Sequence, residues 1–293
     1  MTELDHRDGP TGGAGRASNL TLRVASAAVL APAALVCTYI GGWLFVAVCL
    51  AAAGGILWEW ASLVSARSDA RILAPGWAGL LIASALAGFH LPGAAAGAIA
   101  IEAVLAGLAI AAWPRSDDAI GPLWWGAGGV IYAGIALIPP VTLRNDPQRG
   151  LTALLFLFAT VWATDVFAYG CGRLFGGPRL SPRFSPNKTW SGAIGGLVTG
   201  VAAGVAIAYA SGVPKLWIVG VVAALLSIVA QAGDLFESAI KRRFGAKDAG
   251  ELIPGHGGLM DRLDGFVFAT LVALLIGLLR AGTGSPGQGL LVW

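Results

Sequence analysis

Between Asp234 and Asp264 the chain brings together acids, cations, a histidine and paired glycines within 31 residues, amid long runs of Ala, Leu, Val and Gly. Asp234, Glu237, Ser238 and Lys241 recur at i, i+3, i+4 and i+7, so a helix would carry them on one face. A solvated helix end with i,i+4 ion pairing is the plainer reading. It fits poorly because Asp234 still lies among span residues, where solvation is weak. Lys247 and Asp248 follow in a stretch whose glycines and Pro254 suit a shaped loop. His256, Gly257 and Gly258 close it, and Asp261 and Asp264 then open a further helix on a shared face. One acid at a helix start is accounted for by the helix dipole. Two acids there, with Asp234 and Glu237 upstream, point further. Clusters of oxygen donors hold Mg²⁺ through one or two carboxylates, with substrate phosphates completing the shell. Surrounding cations suit a polyphosphate, and glycines beside His256 let backbone amides approach phosphate oxygens. These are the parts of phosphoryl or nucleotidyl transfer.

Other chemistries lack their residues. There is no G-x-x-x-x-G-K-[ST] loop, no G-x-S-x-G elbow and no H-E-x-x-H. Three histidines in the whole chain exclude a His-rich metal centre. Cys37, Cys49 and Cys171 lie apart in apolar stretches and read as small buried hydrophobes.

The elements that must position this patch are membrane helices. Of 293 residues 56% are hydrophobic and 12% charged, with mean hydropathy +0.75, against about 25% charged in a soluble domain. A spanning helix needs about 20 apolar residues. About nine such stretches are present, near 21–40, 43–65, 75–91, 93–113, 121–139, 151–172, 191–211, 215–237 and 263–280. The expected fold is all-α and polytopic. With the N-terminus in the cytoplasm, only Arg144, Arg149, Lys215 and Arg280 of the 19 Lys and Arg residues fall outside. The positive-inside rule therefore favours an N-in, C-out arrangement. The chain divides into a polar, disordered cytoplasmic tail (1–20), about five N-terminal spans (21–150), and a C-terminal catalytic region of about four spans with cytoplasmic loops (151–293). The acidic head Glu3, Asp5 and Asp8 argues against a signal peptide.

In the first half only Glu59 and Glu102 break the apolar runs. Glu59, between Trp58 and Trp60, reads as an interfacial anchor, and Glu102 as an acid within a span that needs a proton or a partner. In the second half Asp165 lies within a span, and Pro178, Pro182 and Pro186 bar a helix from the loop that follows. Gly192, Gly196, Gly200 and Gly204 then recur every four residues, a bare stripe suited to close helix packing.

The stretch Ser238–Asp264 resembles the signature of the phosphatidate cytidylyltransferases, the CDP-diacylglycerol synthases. It matches at Ser238, Lys241, Arg242, Lys247, Asp248, Gly250, Pro254, His256, Gly257, Gly258, Asp261, Arg262 and Asp264. Upstream, "SPNKTWSG", with Asn187 and Lys188, and "GDLFES" also look like this family. The resemblance implies transfer of a cytidylyl group from CTP to phosphatidic acid, giving CDP-diacylglycerol and pyrophosphate. It implies Mg²⁺, with K⁺ as an accompanying cation, and a homodimer among membrane lipids; no nucleic-acid partner is expected. Asp234, Lys241, Asp261 and Asp264 would then be catalytic, with metal held by Asp234, Asp261, Asp264 and Glu237. Asn187, Lys188, Ser238, Arg242, Lys247, Asp248, His256, Gly257, Gly258 and Arg262 would hold substrate, with Asp165 in support. The expected location is the inner membrane, with the active site at its cytoplasmic face.

Two other classes fit less well. An ion-coupled transporter would explain Glu102, Asp165 and Asp234, but the polar segments have no repeat in residues 1–150 and crowd at one face. A CDP-alcohol phosphotransferase would need a D-G-x-x-A-R continuation that Asp264-Gly265 lacks.

Overall fold

In a computed structural model of the chain, residues 28–65, 69–113, 124–250, 252 and 257–293 are described. The expected tail 1–20 lies outside them, as does His256. The helices are α1 (Ala28–Ile40), α2 (Gly42–Ser65), α3 (Ala70–Gly88), α4 (Pro92–Ala112), α5 (Trp124–Arg144), α6 (Gly150–Phe175), α7 (Trp190–Ala210), α8 (Leu216–Arg243), α9 (Met260–Ala281) and α10 (Pro286–Leu291). Two short strands, β1 (Arg179–Ser181) and β2 (Ser185–Thr189), lie between α6 and α7.

Eight of these helices, α2 to α9, are long and apolar enough to cross a membrane, among the described residues. Of the first expected span, 21–40, only residues 28–40 are described, as α1. The third span begins earlier than its hydropathy suggests. Asp69 caps α3 by accepting from Arg71 N at 2.9 Å, and also binds the Arg71 guanidinium. Arg71, expected in a cytoplasmic loop, is therefore buried at a helix start. The fifth span runs past its expected end, through Pro139 and Pro140.

The all-α expectation needs one correction. The proline-rich loop is an antiparallel hairpin in which Arg179 faces Thr189 and Ser181 faces Ser185. Prolines bar a helix there, and Asn187 and Lys188 lie on β2. Thr189 ends the hairpin and caps α7, accepting from Gly192 N at 3.2 Å.

Packing explains how two halves make one site. The glycine stripe of α7 lies against α6, as its spacing predicts. A Cβ on Gly192 would stand 2.5 Å from Ala168 O, and one on Gly196 would stand 2.6 Å from Thr164 O. Helix α8 packs on α7 and α9, and α5, the most enclosed span, packs on α2, α3, α4 and α9. Trp60 Nε1 donates to Trp125 O at 2.8 Å, and tilted ring contacts continue through Tyr132 to Phe268 on α9. Glu102 lies half-buried, its Cβ and Cγ over Gly79 of α3.

Candidate active site

The C-terminal turns of α6 and α8, the N-terminal turns of α7 and α9, and β2 surround a cavity of about 820 Å³. Nine of the expected site residues line it. Asp165 comes from α6, Asn187 and Lys188 from the hairpin, Asp234, Glu237 and Lys241 from α8, and Asp261, Arg262 and Asp264 from α9. The i, i+3, i+7 stripe on α8 and the i, i+3 pair on α9 thus face one space, as their helical periods require.

Charges are paired across elements. Lys188 of β2 meets Asp234 of α8, both about one-third exposed. Lys241 bridges Glu237, at 3.1 Å, to Asp261 of α9. Asp261 is fixed on its other oxygen, where Oδ2 accepts from Ala249 N at 3.0 Å and Gly258 N at 3.1 Å. Its Oδ1 is left for Lys241. Asp264 Oδ1 accepts from Gly265 N at 2.7 Å. Glu237 Oε1 is buried and meets no donor among the described residues, and Asp264 is its neighbour.

These carboxylates form no ready-made cage: among the described residues no three His, Cys, Asp or Glu side chains are gathered to hold an ion by themselves. They still suit a hard cation. All donors are oxygen, one buried oxygen lacks a partner, and Mg²⁺ characteristically takes only one or two carboxylates with substrate phosphates beside them.

Residues 21–279 match the Cytidylyltransferase family. This chain belongs to that family. The cytidylyltransferase is similar to "Phosphatidate cytidylyltransferase" of Brucella suis biovar 1, at 43% identity over 92% of this chain and 97% of the relative. The protein of the same name from Brucella abortus biovar 1 is 44% identical over 90% and 95%. That of Staphylococcus haemolyticus is 43% identical over 47% of this chain and 53% of its own.

Not every expected site residue lines the cytidylyltransferase's cavity. Arg242 is exposed and donates to Ala246 O at 3.0 Å, closing the end of α8. Lys247 and Asp248 are exposed on the loop, and Ser238 is half-buried one step around α8. Gly257, at φ +82°, and Gly258 shape the backbone beside Asp261. Gln231, Tyr169 and Arg173 are among the further lining residues that the sequence reading missed. Gln231 stands one turn before Asp234 and donates to Ala193 O at 3.3 Å; extending the α8 stripe backwards by three residues would have found it. Tyr169 and Arg173, paired at 2.9 Å on α6, read in the sequence as an apolar span residue and a loop cation.

Proposed function

We infer that this chain transfers the cytidylyl group of CTP to phosphatidic acid. One oxygen of the lipid phosphate attacks the α-phosphorus of CTP. The new P–O bond forms as the bond to the β-phosphate oxygen breaks, and pyrophosphate leaves. The lipid phosphate is already an anion near neutral pH, so no strong base is needed. The observation that carries this reading is a single cavity in which five carboxylates and two lysines, drawn from four elements, face one another within a helical membrane protein.

Asp234, Glu237, Asp261 and Asp264 would hold Mg²⁺, with K⁺ as a second cation; Mg²⁺ supplies charge neutralisation at the reacting phosphates. Lys188, Lys241 and Arg262 bind phosphate oxygens, and preorganised cations of this kind favour the charge that develops in transfer. Asn187 on the hairpin beside Lys188 orients the nucleotide, and Gly257 and Gly258 keep the backbone close. His256, on the same loop, is a further phosphate contact. Asp165 supports the group from α6. Ser238, Arg242, Lys247 and Asp248 would meet CTP as it arrives. Exposed Val166, Phe167, Trp190 and Ile194 flank the lining residues on α6 and α7, a surface on which acyl chains remain in lipid while the headgroup enters. With the N-terminus inside, this mouth opens to the cytoplasm of the inner membrane, and the enzyme works as a homodimer.

The test is purified protein in detergent with phosphatidic acid, CTP and Mg²⁺, assayed for CDP-diacylglycerol and pyrophosphate. Both products are expected in equal amounts, only with Mg²⁺, and Asp261→Asn should lower turnover by about 10²–10³-fold. No product from folded protein, across several phosphatidic acids and nucleotides, would overturn the reading.

A further inference from the structure

We propose that Glu59, a residue of the first half, is a positioning residue for this reaction, holding Asp261 in place through the backbone at the start of α9. The proposal rests on the cytidylyl-transfer reading above only for its effect on turnover.

The sequence places Glu59 as an interfacial anchor between two tryptophans. The structure corrects this: Glu59 is 1% exposed. Its two oxygens accept two successive amides, Oε1 from Leu259 N at 2.8 Å and Oε2 from Met260 N at 2.7 Å. Helix α9 begins at Met260, and its N-cap residue, Leu259, offers no side-chain cap. A helix start leaves amides without partners. Here a carboxylate from a helix 200 residues earlier in the chain takes the place of the local cap, with the sign of charge that the helix dipole favours.

The loop is moulded to this carboxylate. A Cβ on Gly250 would stand 2.7 Å from Glu59 Oε1, and one on Gly258 would stand 2.9 Å from Oε2 and from Gly250 N. Two glycine segments therefore close around one side chain. Asp261 lies in the first turn of the same helix and clasps the same loop through Ala249 N and Gly258 N. Glu59 fixes the helix start, Asp261 fixes the loop to it, and the remaining oxygen of Asp261 is aimed at Lys241 and the cavity. Glu59 itself does not line the cavity. It acts through Asp261, as outer groups orient the ligands of a metal.

The experiment compares wild type with Glu59→Gln, which keeps the shape and loses the charge. In metal-free protein, backbone hydrogen exchange is expected to quicken at Leu259 and Met260, and also at Ala249 and Gly258, which Glu59 does not touch. Mn²⁺ binding, followed by electron paramagnetic resonance, should weaken by about 10–100-fold, with kcat falling and KM for the lipid unchanged. Quickening confined to Leu259 and Met260, with Mn²⁺ binding as in wild type, would make Glu59 only a cap and overturn the proposal. Should the Gln variant fail to fold, Glu59→Asp, charged but one methylene short, is read by the same two measurements. Fast exchange at Leu259 and Met260 in wild type would overturn it with no variant at all. A wild type that makes no CDP-diacylglycerol, while the variants show the coupled exchange and metal defects, would sink the reaction and leave the positioning role standing.

Discussion

At the ends of the helices remote from the cavity, charged side chains meet backbone. Arg144 donates to Thr38 O at 2.6 Å and Tyr39 O at 3.0 Å, closing α1. Arg149 donates to Ser211 O at the end of α7, and Arg280 to Gly289 O and Val292 O, with its guanidinium over the Trp293 ring. Buried Asp146 accepts from the amides of Gln148, Arg149 and Gln288. At the cavity end the same residue types meet one another. Lys188 faces Asp234, Lys241 faces Glu237 and Asp261, and one oxygen of Glu237 faces no donor among the described residues. Side chains whose hydrogen bonds are filled by backbone lock helix ends together. Side chains paired only with other side chains can exchange those partners for phosphate or metal. Backbone is held at the working end too, by one oxygen each of Asp261 and Asp264 and by both oxygens of Glu59.

The contrast breaks most sharply at the two lysines. Lys241→Met should abolish detectable transfer and lower stability by about 3–5 kcal/mol, because it strands the buried Glu237 carboxylate without its cation. Lys188→Met should lower transfer by about 10²-fold yet cost under about 1 kcal/mol, since its pair with Asp234 is partly solvated. Thermal unfolding in detergent beside the turnover assay separates the two, and equal destabilisation would erase the distinction. Asp146→Asn tests the other end. A loss of about 1.5–3 kcal/mol is expected from the weakened backbone bonds, with kcat unchanged; a fall in kcat with unaltered stability would contradict the division. Smallest is Arg280→Gln, about 1 kcal/mol from the lost contact with the Trp293 ring, again with wild-type kcat.

What the sequence discloses is what local spacing controls. The period of α8 carried Asp234, Glu237 and Lys241 to one face, and the four-residue glycine repeat set α7 against α6. Hydropathy found the spans, and the cytidylyltransferase signature found the loop between α8 and α9. What stayed hidden depends on contacts between distant segments. Nothing around Glu59 points to residues 259 and 260, and its tryptophan neighbours suggest a membrane interface instead. The prolines exclude a helix after α6, but the pairing of Arg179 with Thr189 is set by the turn and by where α7 begins. Arg173 counted as one more loop cation, because only the fold shows that α6 turns it to the cavity. Arg71 lies between the second and third expected spans, and burial beside Asp69 draws it into a helix start.

The link between Glu59 and α9 also has an order in time. A chain made from its N-terminus presents Glu59 about 200 residues before the amides that receive it. Until then an acid sits inside the second helix with no partner from α9, in surroundings that penalise it. A product that stops short of residue 259 therefore lacks both its last cavity-lining acids and the groups that satisfy Glu59. Assembly of the cavity and relief of that buried charge come in a single step, when α9 seats.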